Sequence, residues 1–163
     1  MTHRTRGARG FAVWGAALAL VGGAAPFAGA VGASGVPEAD LAYHGAATMS
    51  GGRVEVRLTP RNHGPSAVPD ASVLLRWSQP LADRQQLPQA CVRTAARDVV
   101  CRTGALAEDG LGDQIALVLR LRDRPDEVTL EIDTAWGGGA VDGNRANDRQ
   151  RVLVLDTGDS YYF

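Results

Sequence analysis

Residues 53 to 59 read Arg-Val-Glu-Val-Arg-Leu-Thr, with Val54, Val56 and Leu58 on one parity and Arg53, Glu55, Arg57 and Thr59 on the other. Successive side chains of an extended strand point to opposite faces, so this run can bury one side and wet the other only as a β-strand. The same alternation recurs in "QIALVLRLR", which puts Ile115, Leu117, Leu119 and Leu121 together, and in "EVTLEIDTAW", which turns Val128, Leu130 and Ile132 inward against Glu127, Glu131 and Asp133 outward. "ASVLLRW" and "QRVLVLD" are strands by the same rule, and the second, apolar on both parities, is expected to be covered on both sides. Between the strands lie "RNHGPSAVPD", "GALAEDGLGD", "RDRPDE" and "GGGAVDGNRAND", all rich in turn residues. Almost no helical periodicity interrupts this order. About seven strands at this spacing predict an all-β domain, an antiparallel β-sandwich.

The front of the chain has a different character. Arg4, Arg6 and Arg9 precede an apolar, small-residue stretch from Phe11 to Ala30, followed by the triplets Ala28-Gly29-Ala30 and Val31-Gly32-Ala33. That order is the pattern of a secretory signal peptide over residues 1–30, cleaved after Ala30 or, as the alternative, after Ala33. A retained membrane anchor is the weaker expectation, because Pro26 and the glycines weaken a helix there. A short linker, 31–38, then leads to a sandwich over 39–156 and an aromatic tail over 157–163. Removing the three leader arginines lowers the basic count from 17 to 14 against 18 acidic side chains, a mature charge near -4. Such a surface argues against nucleic acid or anionic membrane as a partner. No second apolar stretch is long enough to span a membrane, so the mature protein is expected to be secreted, soluble, monomeric and at or near the cell surface.

Two cysteines, Cys91 and Cys101, are ten positions apart. In an exported chain that pair reads as a disulfide across a hairpin whose turn lies near Ala95 to Asp98, stabilising by roughly 2–3 kcal/mol. The mature histidines, His44 and His63, lie in no cysteine-hydrolase motif, and a lone turn histidine such as His63 is a poor metal site. "VLVLDTGDS" resembles the way an aspartic protease presents its carboxylate, but only five residues follow Gly158. The expectation is therefore a turn at Asp156-Thr157-Gly158 and no catalytic residue, metal or cofactor.

The order of the pieces resembles a known family. "RLTPRNHGPSAVPDASVLLRW" is similar to the opening of the bacterial conserved-repeat surface domain known as DUF eleven, and of its relative the cell-adhesion-related domain. The matching positions are Asn62, Gly64, Pro65, Ser66, Ala67 and, after the strand, Pro80. Cys91, Cys101, then Gly104, Leu106 and Gly110 follow in the family's order, as do Asp142, Asn144 and Asn147 before the last strand. The resemblance spans roughly Ala39 to Leu155 in a single copy. It implies an immunoglobulin-like sandwich with a non-catalytic structural or adhesion-like role, whose partner is an envelope or extracellular protein or polysaccharide.

The alternative function is a carbohydrate- or calcium-binding module using the loop Trp136 to Asp148. Asp133, Asp142, Asn144, Asn147 and Asp148 are hard oxygen donors of the kind calcium takes. Trp136 beside three glycines is a candidate platform, although it shares parity with Val128, Leu130 and Ile132, which points it to the core. Trp77 shares parity with Val73 and Leu75 and is expected to be core.

Overall fold

The computed structural model describes residues 35–163, so the signal-peptide expectation and both cleavage points lie outside the described residues. Strands form at β1 (Glu38–Ala39), β2 (Leu41–Ser50), β3 (Arg53–Asn62), β4 (Ser72–Trp77), β5 (Cys91–Arg93), β6 (Asp98–Arg102), β7 (Gly110–Leu111), β8 (Ile115–Arg120), β9 (Glu127–Trp136), β10 (Val141–Asp142), β11 (Gln150–Leu155) and β12 (Tyr161–Tyr162). No helix occurs among the described residues.

One sheet has the order β11-β9-β4-β6-β5. The other runs β12-β2-β3-β8, with β7 pairing the far end of β3. Every pair in both sheets is antiparallel, while β1 and β10 make a small parallel pair. The inward parities of the two sheets meet in one apolar core. Tyr43, Val56, Leu58 and Leu119 contribute from one side and Val73, Leu75, Trp77, Leu130 and Val154 from the other. Burying each such side chain stabilises by about 1.5–3 kcal/mol before the cost of ordering it. A smaller cluster of Leu41, Val68, Ala71 and Leu106 closes one end.

The Ser50↔Arg53 pair leaves Gly51 and Gly52 as a two-residue hairpin loop. Both have positive φ, 59° and 76°, which is what a turn matching the strand twist needs.

Three elements differ from the sequence expectation. Strand β2 is ten residues long although "LAYHGAATMS" carries little apolar signal, because Gly45 and Ala47 hold inward positions. Leu106 and Gly110-Leu111 lie in a stretch read as turn, yet Leu106 is buried and bridges Val68. Leu153 is 49% exposed while Val152 and Val154 are buried, so only the inward parity of β11 belongs to the core. The aromatic tail, which the sequence expects either to fold back onto the domain or to stay exposed, folds back as an added strand. Tyr161 and Tyr162 pair with Ala47 and Ala46, and Phe163 exchanges backbone hydrogen bonds with Gly45 at 3.0 and 3.1 Å. Asp156 and Thr157 form the turn by which the chain crosses to the second sheet. There the Asp156 carboxylate accepts a hydrogen bond from the Gly51 amide at 2.6 Å.

Candidate functional site

The Asn-His-Gly-Pro turn and the Asp/Asn loop are some 80 residues apart in sequence, yet the fold brings them together around β1. A shallow groove of about 310 Å³ runs between them, lined by Asp40, His63, Pro65, Val141 and Asn144 among others. Asn62, at the end of β3, is fully buried and holds the first wall. Its Oδ1 accepts from the Gly64 amide at 2.9 Å and the Asp40 amide at 3.3 Å. Its Nδ2 donates to the carbonyls of Ser66 at 2.8 Å and Ala107 at 3.0 Å. Gly64 is needed for a different reason: a Cβ there would lie 2.5 Å from the Cα of Ala39, so a side chain would push β1 away. Pro65 fixes its own φ in the turn, and the Ser66 hydroxyl accepts a hydrogen bond from the Glu38 amide at 3.2 Å.

The second wall is the loop. Asp142 Oδ2 accepts from the Leu41 amide at 3.0 Å and Oδ1 from the Asn144 amide at 2.9 Å, an Asx turn that also ties the loop to β2. Asn147 Nδ2 donates to Asp40 Oδ1 at 2.7 Å. These side chains face different partners and do not converge. Among the described residues no three His, Cys, Asp or Glu side chains are grouped to hold a metal ion. Asp133 lies outside this set, paired with Arg145 and Arg149 on the sheet face at 3.2 and 3.3 Å. His63 is 4.0 Å from Asp109.

Trp136 is 53% exposed, against the core position that its parity predicts. Ser72 pairs with Trp136 but Val73 with Thr134, so one extra residue is inserted in β9. This bulge flips the strand's parity before Trp136 and turns the indole outward. Cys91 and Cys101 are directly opposite in the β5–β6 hairpin and form a disulfide, with Cα atoms 4.0 Å apart.

Asp148 stands out in the sequence as a loop oxygen donor, but its burial is what composition and spacing do not reveal. It is fully buried, and among the described residues neither carboxylate oxygen has a hydrogen-bond partner, although Arg145 Nε lies 3.1 Å from Oδ2. Burial holds its carboxyl above the ordinary range, while Thr134 and Arg145 pull it down and Asp142 and Asp133 push it up. Beside it the Tyr43 hydroxyl bonds Thr134 Oγ1 at 2.8 Å. Burial pushes the Tyr43 phenol up to about 12, with the Thr134 bond opposing and Asp148, Asp142 and Asp133 adding.

A carboxyl whose pKa is higher in the folded than in the unfolded chain contributes stability that is fully present below the unfolded value and is lost as pH rises through the folded one. Asp148→Asn removes the titration. Its advantage over wild type is therefore expected to be smallest below the unfolded carboxyl range and to grow as pH rises to neutrality. Thermal melts across that range check this, and a deficit independent of pH would sink it.

As a whole the groove offers turn amides, one imidazole and carboxylates already used as hydrogen-bond acceptors. Such an arrangement can hold loops in place or present a surface. No known family model and no curated protein matches the chain. Among solved structures it is similar to β-glucosidase 3B from Thermotoga neapolitana in complex with α-D-glucose, at 12% identity and a TM-score of 0.44. That alignment covers 77% of this chain and 17% of the other, so this chain spans under a fifth of that enzyme, and the likeness assigns it no activity.

Proposed function

We propose that this protein is a secreted, non-catalytic β-sandwich domain of the bacterial surface with a structural or protein-interaction role, of the DUF eleven kind that its sequence resembles. The observation that supports this most is the use of the groove's polar side chains. Asn62, Asp142 and Asn147 each tie one chain segment to another, which holds two loop walls rigid for presentation. The Cys91–Cys101 disulfide suits an oxidising compartment. Immobilised protein incubated with the producer's envelope proteins and polysaccharides is expected to retain a protein partner. Retention of nothing leaves a purely structural role.

A second function has one observation in its favour. The exposed Trp136 indole is an amphipathic platform at the loop's edge, suited to a sugar or protein contact. If the loop is the contact, Trp136→Ala abolishes retention while leaving the melting temperature unchanged.

A further inference from the structure

The outer face of the second sheet carries features that neither the core nor the groove uses. Tyr162 stands opposite Ala46, Ala46 opposite Arg57, and Arg57 opposite Ala116, so these four share one cross-strand row on the solvent side. Tyr161 and Phe163 pack on the core, and Tyr162 between them is 81% exposed. The neighbouring row holds Thr48, Glu55 and Val118, and the next Ser50, Arg53 and Arg120. Small residues at Ala46, Thr48 and Ala116 make the floor flat. Two sheet spacings separate Tyr162 from Arg57, about 10 Å.

Charge on this face is unbalanced. Arg53 is paired with Glu55 at 3.0 Å and Arg61 with Asp109 at 3.2 Å, but among the described residues Arg57, Arg84 and Arg120 have no ionic partner. Arg53 and Arg120 stand directly opposite each other, a like-charge pair that costs stability. Together with Arg84, Gln86, Val118 and Asp83, whose carboxylate is taken by Arg122 at 3.0 Å, they line an open cleft of about 840 Å³. The first sheet is different: Arg76 is bound by Asp98, Arg149 by Asp133 and Arg151 by Glu131, so these three arginines are neutralised within the sheet.

We propose that this face binds an acidic polysaccharide, with a sugar ring on Tyr162 and carboxylates on Arg57 and Arg120. A guanidinium fork matches a carboxylate with two parallel hydrogen bonds, and Arg57 and Arg120, which have no ionic partner among the described residues, are placed to make them, while Arg53 is already held by Glu55. An exposed ring and a flat floor suit the C–H face of a sugar. An acidic peptide would need side-chain pockets or a free strand edge, and single-stranded nucleic acid would need several stacking rings and a cationic domain. The inference rests on the surface role proposed above and names one ligand class for it.

Calorimetry with polygalacturonate, using the purified secreted protein, is the test. Binding is expected in low salt, weakening as ionic strength rises, with none to neutral dextran. Arg57→Ala is expected to weaken it about tenfold and Tyr162→Ala roughly fivefold, while Tyr162→Phe keeps the ring and stays near wild type. Arg97→Ala, which removes a cation with no ionic partner among the described residues from the β5–β6 turn of the other sheet, is expected to change nothing. The proposal is overturned by absence of binding in low salt, by equal loss in Arg97→Ala, or by poly-L-glutamate binding as tightly. A protein partner retained from the envelope alongside any of those results would leave the interaction role standing and remove only the polysaccharide.

Discussion

Asn62→Ala is expected to lower the stability of the sandwich by about 3–4 kcal/mol, because one buried side chain satisfies four backbone groups at once. It accepts from the amides of Gly64 and Asp40 and donates to the carbonyls of Ser66 and Ala107, and so joins β1, the Gly-Pro turn and the loop after β6. Alanine deletes all four bonds and leaves their partners buried, whereas one typical net hydrogen bond is worth about 1 kcal/mol. Urea unfolding followed by far-ultraviolet circular dichroism measures the loss. Asn62→Asp separates the two halves of the network. The carboxylate still accepts from both amides but faces two carbonyls to which it can no longer donate. Those carbonyls raise its folded pKa, so the deficit of this variant should shrink as pH falls and the carboxyl regains a donor. A loss below 1 kcal/mol in the alanine variant would show that water replaces the side chain, and that Asn62 does not organise the groove.

Trp77→Ala is expected to cost about 3–5 kcal/mol, the range for removing a large aromatic from a packed core. Trp77 ends β4, the middle strand of its sheet, and is fully buried against residues of both sheets. Its indole N–H is buried with no acceptor among the described residues. Trp77→Phe therefore removes an unsatisfied donor along with some volume, and the two effects oppose each other. The phenylalanine variant should remain within about 1.5 kcal/mol of wild type, and equal losses in both variants would mean that the indole N–H is satisfied in solution.

Much of the fold was legible. Val54, Val56 and Leu58, or Val128, Leu130 and Ile132, declare their face by alternation alone, because the strand period is a local property of the backbone. The cysteine pair and the turn near Ala95 to Asp98 were legible for the same reason, being ten residues of one hairpin. The polar groove was legible in part. Asn62 and the Asp/Asn loop stand out by residue type, but nothing local shows that Asp142 holds the Leu41 amide or that Asn147 meets Asp40, contacts made across 101 and 107 residues.

By itself, then, the amino-acid order determined an all-β domain and which residues of its strong strands form the core, since burial of one parity is decided within each strand. Only the tertiary structure decided the rest. The bulge opposite Ser72 exposes Trp136, packing of the sheet on its inner face alone leaves the outward Leu153 exposed, and the return of the chain to β2 partly buries Tyr161 and Phe163 while leaving Tyr162 in solvent. Each of these depends on which strand lies alongside another, and pairing between distant segments leaves no periodic trace in either of them.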